Sequence, residues 1–180
     1  MNLGFATRCA ARIAERFGPF AERIQVAGSI RRRRPEVGDI DLVAIPKVSA
    51  GRDLFGAPQD PRNLLADEVR RVCTAEGWSL IRDGVEFSIF ESRGVQVDLW
   101  YATQETFASI FLCRTGSKEH NVWLAMRALG RDSKWVPNRG LYVSGRPVPA
   151  ENEEAIYAAL GLPLLDPVTG RDEPAFRRYR

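Results

Sequence analysis

The segment Gly38-Asp39-Ile40-Asp41 runs directly into Leu42-Val43-Ala44-Ile45. In an extended chain residues i and i+2 share a face, so Asp39 and Asp41 stand side by side at the head of an otherwise apolar strand. Like charges at that spacing repel, and a core does not accept them unpaired. Two readings follow: a solvent-facing pair at a strand end, or two ligands whose repulsion a divalent cation removes. A third carboxylate lies in Val95-Gln96-Val97-Asp98-Leu99-Trp100, one charge in a largely apolar strand pattern. Asp98 is either an edge-strand charge or, if its strand pairs beside the first, the third member of the set. Three carboxylates with no histidine or thiolate match a hard ion such as Mg²⁺. Two such ions suit phosphoryl or nucleotidyl transfer, one activating an attacking hydroxyl and the other stabilising a departing pyrophosphate. Asp98 would hold the ion that activates the hydroxyl and would assist its deprotonation.

Gly28-Ser29 lies eleven residues before Asp39, just after a short strand pattern. Such a step can expose backbone N–H groups and a hydroxyl to a phosphate, with Arg32 near enough to reach the same group. On its own it is equally a plain turn, and no G-x-G-x-x-G dinucleotide fingerprint follows a strand. Four arginines run together at 31–34, and arginine suits bidentate phosphate contacts; a general preference for arginine would produce the same run.

These residues need elements to position them. Leu3, Ala6, Ala10, Ile13, Ala14 and Phe17 predict a helix over 3–17, stopped by Gly18-Pro19. Ile24 to Ala27 and Asp39 to Ile45 read as strands, 47–62 as a loop, and 63–76 as a helix. Further strands are expected near 79–82, 85–90 and 95–101. Beyond Thr103 the pattern gives a short helix over 105–112, a break at Thr115-Gly116-Ser117 and a helix over 118–129. Turns follow at Asn138-Arg139-Gly140 and Ser144-Gly145, then a last helix near 152–160. On that helix 118–129, Val122, Met126 and Leu129 read as the packed stripe and His120 as a surface or capping residue. The expected fold class is α+β, with a mixed sheet and flanking helices over 1–103 and a small α/β lobe over 104–180.

The chain has 180 residues, enough for one domain or two small lobes. Its net charge of +3, from 26 Lys and Arg against 23 Asp and Glu, says little by itself about partners. Three widely spaced cysteines, Cys9, Cys73 and Cys113, form neither a disulfide framework nor a zinc motif, so a reducing cytosol is expected. One histidine excludes a multi-histidine metal centre within one chain. No run of 18 apolar residues predicts a membrane span.

Gly28-Ser29-Ile30-Arg31-Arg32, Gly38-Asp39-Ile40-Asp41 and Val97-Asp98 together resemble the palm of the DNA polymerase beta-like family, family X. Thr115-Gly116-Ser117, His120-Asn121 and Asn138-Arg139-Gly140-Leu141-Tyr142 resemble its nucleotide-binding thumb. The stretch from Leu162 to Glu173 resembles its C-terminal end. The ordered set covers nearly the whole chain.

The resemblance implies a nucleotidyltransferase palm over 1–103 and a nucleotide-binding thumb over 104–180. Asp39, Asp41 and Asp98 would carry two Mg²⁺ ions, with Mn²⁺ as a substitute. Ser29 and Arg32 would contact the β and γ phosphates, and Gly28 and Gly38 would lie close as backbone. Thr115 and Gly116 would pack near the sugar and base, and Asn121 would bond the minor-groove edge. Backbone contacts to DNA are expected from Arg33, Arg34, Lys118, Arg127, Arg131, Lys134 and Arg139. The implied activity is templated addition of deoxynucleotides to a primer 3′-hydroxyl in short-gap repair. The alternatives are addition without a template, another acceptor on the same palm, or a binding module whose site has decayed. The expected partners are dNTPs, primer–template or gapped DNA and a repair protein such as a ligase. A monomer in the cytoplasm, of a cell or of a virus-infected host, is expected.

Three positions depart from the family pattern. Cys113-Arg114 stands where an aromatic pair is common, Ala125 where an arginine often touches the template, and Trp100 where an arginine often follows the third aspartate. The lyase and helix-hairpin-helix segments and the phosphatase-like domain of larger members are expected to be missing. DNA grip would then come from the lobes themselves.

Overall fold

The computed structural model describes residues 1–50, 61–129, 133–136, 139–148, 150–173 and 175–179. Arg131 and Asn138 lie outside the described residues. Helix α1 (Leu3–Phe17) starts at Asn2, whose side chain accepts from the Phe5 N–H and so satisfies a donor that a helix start leaves open. Ala6, Ala10, Ile13 and Phe17 form its buried stripe, as the 3.6-residue spacing predicts. Strand β1 (Ala21–Val26) begins earlier than the sequence suggests, because a single 3₁₀ turn at Gly18–Phe20 has already redirected the chain. Helix α2 (Gly28–Arg31) occupies the place read as a turn. Strand β2 (Ile40–Pro46) follows, and β3 (Val48–Ser49) pairs with β4 (Arg62–Asn63) at the ends of the region read as a loop. Helix α3 (Leu64–Glu76) is capped by Asn63 and leads to β5 (Ser79–Asp83), β6 (Phe87–Ser92) and β7 (Val95–Tyr101).

These strands form a five-stranded sheet in the order β1-β2-β7-β6-β5. β2 and β7 are parallel, and the other neighbours are antiparallel. Ile40, Leu42 and Ala44 on β2, with Val97, Leu99 and Tyr101 on β7, pack in the main core with α1 and α3 residues such as Phe17, Leu65 and Val69. The alternate residues Val43 and Ile45 face the other way. There they meet Ala27, Ala102, Phe107 and Ile110, the last two from α4 (Phe107–Thr115). Burial on both faces explains why Leu42-Val43-Ala44-Ile45 is continuously apolar rather than alternating.

The C-terminal region continues with α5 (Lys118–Leu129), β8 (Ser133–Val136), β9 (Gly140–Val143), β10 (Arg146–Pro147) and α6 (Glu153–Ala159). The three strands form a small antiparallel sheet, β10-β9-β8. Leu112, Leu124, Trp135, Leu141, Tyr157 and Phe176 lie in its core. The architecture is therefore α+β: a mixed sheet flanked by helices and a smaller β-rich C-terminal region.

Helix α5 is turned relative to the sequence expectation. Its buried residues are His120, Leu124 and Ala128, whereas Val122, Met126 and Leu129 are 53%, 67% and 68% exposed. The reason is His120, read from sequence as a surface residue. Its Nε2 lies 2.7 Å from the Tyr157 hydroxyl, and the Trp123 and Phe176 rings pack beside it. Burying this imidazole with its partner rotates the remaining apolar side chains outward. Among the described residues no helix is long and apolar enough to cross a membrane.

Candidate active site

Asp41 and Asp98 are register partners on the neighbouring parallel strands β2 and β7. Both share a face with Val43 and Trp100, two residues further along, so both point toward the side that α4 covers. Asp39 lies just before β2, half-buried. The three carboxylates act on one another. Burial, then the charges of Asp39 and Asp98, push the Asp41 carboxyl up to about 7. Asp98 is raised chiefly by burial and further by Asp39, against the Gln96 amide that donates to it at 2.8 Å. A cation placed here would remove this penalty.

Among the described residues no three His, Cys, Asp or Glu side chains are grouped closely enough to hold a metal ion as they stand. The donor atoms are nevertheless all carboxylate oxygens, two on register partners and the third just before β2. In donor chemistry they fit a hard divalent cation. Arg114 is the protein's own cation beside Asp41 and Asp98, and it opposes the upward shift of both.

Gly28 is required at its position. Its backbone has φ +59°, and a Cβ there would lie 2.8 Å from Asp41 Cγ. Ser29 and Arg32 follow on the same short segment. Ser29 Oγ and Arg32 Nε are buried and have no hydrogen-bond partner among the described residues. Buried polar atoms are normally satisfied, so two orphans together fit an incoming oxygen-rich group such as a phosphate. Arg32 is steadied through Nη1, which donates to the Thr115 carbonyl. Gly116, at φ +70°, makes room for the same guanidinium: a Cβ would lie 3.0 Å from Arg32 Nη1. Gly38 is exposed and has nothing among the described residues within 4 Å of its Cβ position, so none of them demands glycine there.

A cavity of ≈ 480 Å³ opens beside Asp41 and Arg32, lined also by Arg114, Gly116, Lys118 and Asn121, and of the three aspartates only Asp41 lines it. Asn121 Nδ2 donates to the Cys113 carbonyl at 2.7 Å, which ties α5 back to the end of α4.

The arginine run at 31–34 does something that the sequence did not disclose. Arg31 donates to both Glu153 oxygens, at 2.7 and 2.6 Å, and to Thr115 Oγ1 at 2.7 Å. Arg171, fully buried, grips the same carboxylate from the other side at 3.0 and 2.9 Å. Arg34 pairs with Asp172. Arg31, Arg32 and Arg34 therefore fasten α2 and the residues after it to Thr115, Glu153 and Asp172, and of the four only Arg33 is exposed. Glu153 and Arg171 had no local signal, since their meaning comes from contacts distant in sequence. Of the other expected DNA contacts, Lys118, Lys134 and Arg139 are exposed, whereas Arg127 is half-buried and donates to the Tyr179 carbonyl.

A family model described as DNA polymerase beta thumb matches residues 110–169. The chain is similar to solved structures of Leishmania infantum polymerase beta in a ternary P/T complex and a ternary gap complex. The TM-scores are 0.72 and 0.75 at 17% identity, covering 96% of this chain and 76% and 70% of those chains. The chain has the family X, DNA polymerase beta-like fold. It is also distantly related to the DNA polymerase/3′-5′ exonuclease PolX of Bacillus subtilis strain 168, at 28% identity over 170 residues. That alignment takes in 92% of this chain and 27% of the PolX relative, so the chain spans about a quarter of the length of this curated family X relative.

Proposed function

We propose that this family X chain is a nucleotidyltransferase that adds deoxynucleotides to the 3′-hydroxyl of a DNA primer, acting on short gaps. Residues 1–103 would form the palm and 104–180 the nucleotide-binding thumb. The observation that supports this most is the register pairing of Asp41 with Asp98, flanked by the orphaned Ser29 and Arg32 donors. The described complexes of the Leishmania structures and the name of the PolX relative add support for a DNA acceptor.

Asp39, Asp41 and Asp98 would hold two Mg²⁺ ions, or Mn²⁺ in their place. When bound, such ions make the primer hydroxyl more acidic and stabilise the departing pyrophosphate. Ser29 Oγ and Arg32 bind the β and γ phosphates, Arg32 being pre-set by the Thr115 carbonyl. Asp98, half-buried and paired in register with Asp41, accepts the proton of the 3′-hydroxyl. Gly116 keeps the sugar side of the cavity open. Asn121 exchanges its Cys113 carbonyl for the edge of the incoming base. Arg33, Lys118, Lys134 and Arg139 contact backbone phosphates, which gives salt-dependent binding without sequence preference.

The test is extension of a gapped duplex with Mg²⁺, offering each dNTP and rNTP separately and changing the templating base. Addition of the complementary dNTP is expected. Addition that ignores the template would move the reading to template-independent transfer. No addition to any DNA primer would refute a DNA acceptor.

A further inference from the structure

A cavity of ≈ 360 Å³ opens on the face of the five-stranded sheet opposite the carboxylates, and it takes no part in the chemistry proposed for them. Ile40 of β2 and Val97 of β7 line it. They are register partners one step before Asp41 and Asp98, and successive strand residues point to opposite faces. The thickness of the sheet therefore separates the cavity from those aspartates. Phe5 of α1 and Trp78, which precedes β5, add aromatic surface. The Trp78 ring is held in place, stacked on Phe90 with centroids 5.7 Å apart and meeting Phe17 edge-on at 6.5 Å. Phe5 stays 42% exposed.

The charges around this apolar surface do not balance. Arg12, Arg16, Arg93 and Glu76 line the cavity, three guanidiniums to one carboxylate. Arg16 pairs with Glu76. Arg12 and Arg93 are exposed and make no hydrogen bond or ion pair among the described residues. Arg93 is the first of the two residues that turn β6 into β7, and its φ is +52°. That left-handed backbone suits Asn, Asp or Gly, so the turn itself gives no reason for an arginine.

We propose that this cavity binds a small aromatic anion, a ring system carrying one carboxylate or phosphate group. The rings take the apolar surface of Ile40, Val97, Trp78 and Phe5 out of water. Arg12 and Arg93 meet the anionic group, and the forked guanidinium suits either head. Ligand cavities run from about 300 to 1,000 Å³, and this one lies at the small end, which suits one or two fused rings. Because the sheet stands between, the anion does not compete with a ligand held at the aspartates.

Binding of 2-naphthoate, 2-naphthyl phosphate and the neutral 2-naphthamide is measured by calorimetry. Occupancy of this cavity is read from protection of Cys9, a half-buried free thiol in its lining, against iodoacetamide. At least one anion is expected to bind the wild type about tenfold more tightly than the amide, as one charge-assisted hydrogen bond predicts, and the tighter anion identifies the head group. Arg12→Gln and Arg93→Gln should each bind that anion about tenfold more weakly, whereas Arg8→Gln, which removes a cation of α1 outside the cavity lining, should stay within about twofold. The anion should protect Cys9 and remain bound when Mn²⁺ and dATP are added. Failure of both anions to bind more tightly than the amide, or labelling of Cys9 that the anion does not slow, overturns the inference. Displacement by Mn²⁺ with dATP also overturns it, and leaves the nucleotide site standing. The amide comparison and the Cys9 readout use the wild type, so they decide the matter even if a variant does not fold.

Discussion

Replacing Glu153 by Gln tests the junction that holds α2 against the C-terminal region. The Glu153 side chain is 10% exposed and accepts two bonds from Arg31 and two from Arg171, itself fully buried. Burial pushes its carboxyl up, but the two arginines outweigh this and hold it below the ordinary range. Glutamine keeps the shape, removes the charge and leaves two guanidinium groups facing one another. Breaking a buried pair from one side costs about 3–5 kcal/mol. For a chain of this size each kcal/mol lowers Tm by roughly 2–4 °C, so a fall of about 6–20 °C is expected by calorimetry. Glu76→Gln is the control. Its ion pair with Arg16 has side chains 40% and 36% exposed, and its loss should cost no more than about 1 kcal/mol. The variant should also raise KM for dNTP more than it lowers kcat, because Arg31 and Arg32 both bond to Thr115. A Glu153→Gln protein no less stable than Glu76→Gln would refute the reasoning.

Four further outcomes follow from the same contacts. Asp98→Asn removes a carboxylate that burial and Asp39 disfavour, so metal-free Tm should not fall while nucleotide addition is lost; a lower Tm by calorimetry would contradict this. Gly28→Ala forces a Cβ onto Asp41 at a positive φ and should abolish addition in the gap assay at a cost of at least about 1 kcal/mol. Burial, aided by Arg171, lowers the His120 pKa to about 4, so between 6.5 and 4 the unfolded chain binds the extra proton. The His120 contribution to stability is therefore full above about pH 6.5 and falls by about 3 kcal/mol as pH drops toward 4, while the raised Asp41 carboxyl acts in the opposite direction; the difference between wild type and His120→Gln in urea titrations isolates the His120 part. Lys134→Ala and Arg139→Ala should each weaken DNA binding on all sequences alike and reduce the salt slope by about 1.

The carboxylates were legible because strand periodicity fixes which residues share a face, and Asp41 and Asp98 needed only parallel pairing to meet. Helices α1 and α3 were legible from the 3.6-residue spacing of their apolar residues, whereas the Asn2 and Asn63 caps emerged only from the structure. The orientation of α5 was not, because its apolar residues lie on more than one face and a buried His120–Tyr157 bond decides between them. The role of Arg31 and Arg34 was hidden too. A basic run looks alike whether it meets phosphate or, as here, Glu153 and Asp172 more than a hundred residues away.

The most direct test of the central claim is extension of a duplex with a one-nucleotide gap, with Mg²⁺ and the complementary dNTP, comparing the wild type with Asp98→Ala. The wild type should add the templated nucleotide, and Asp98→Ala should fold with an unchanged circular dichroism spectrum and add none. Equal extension by the two proteins would contradict the account.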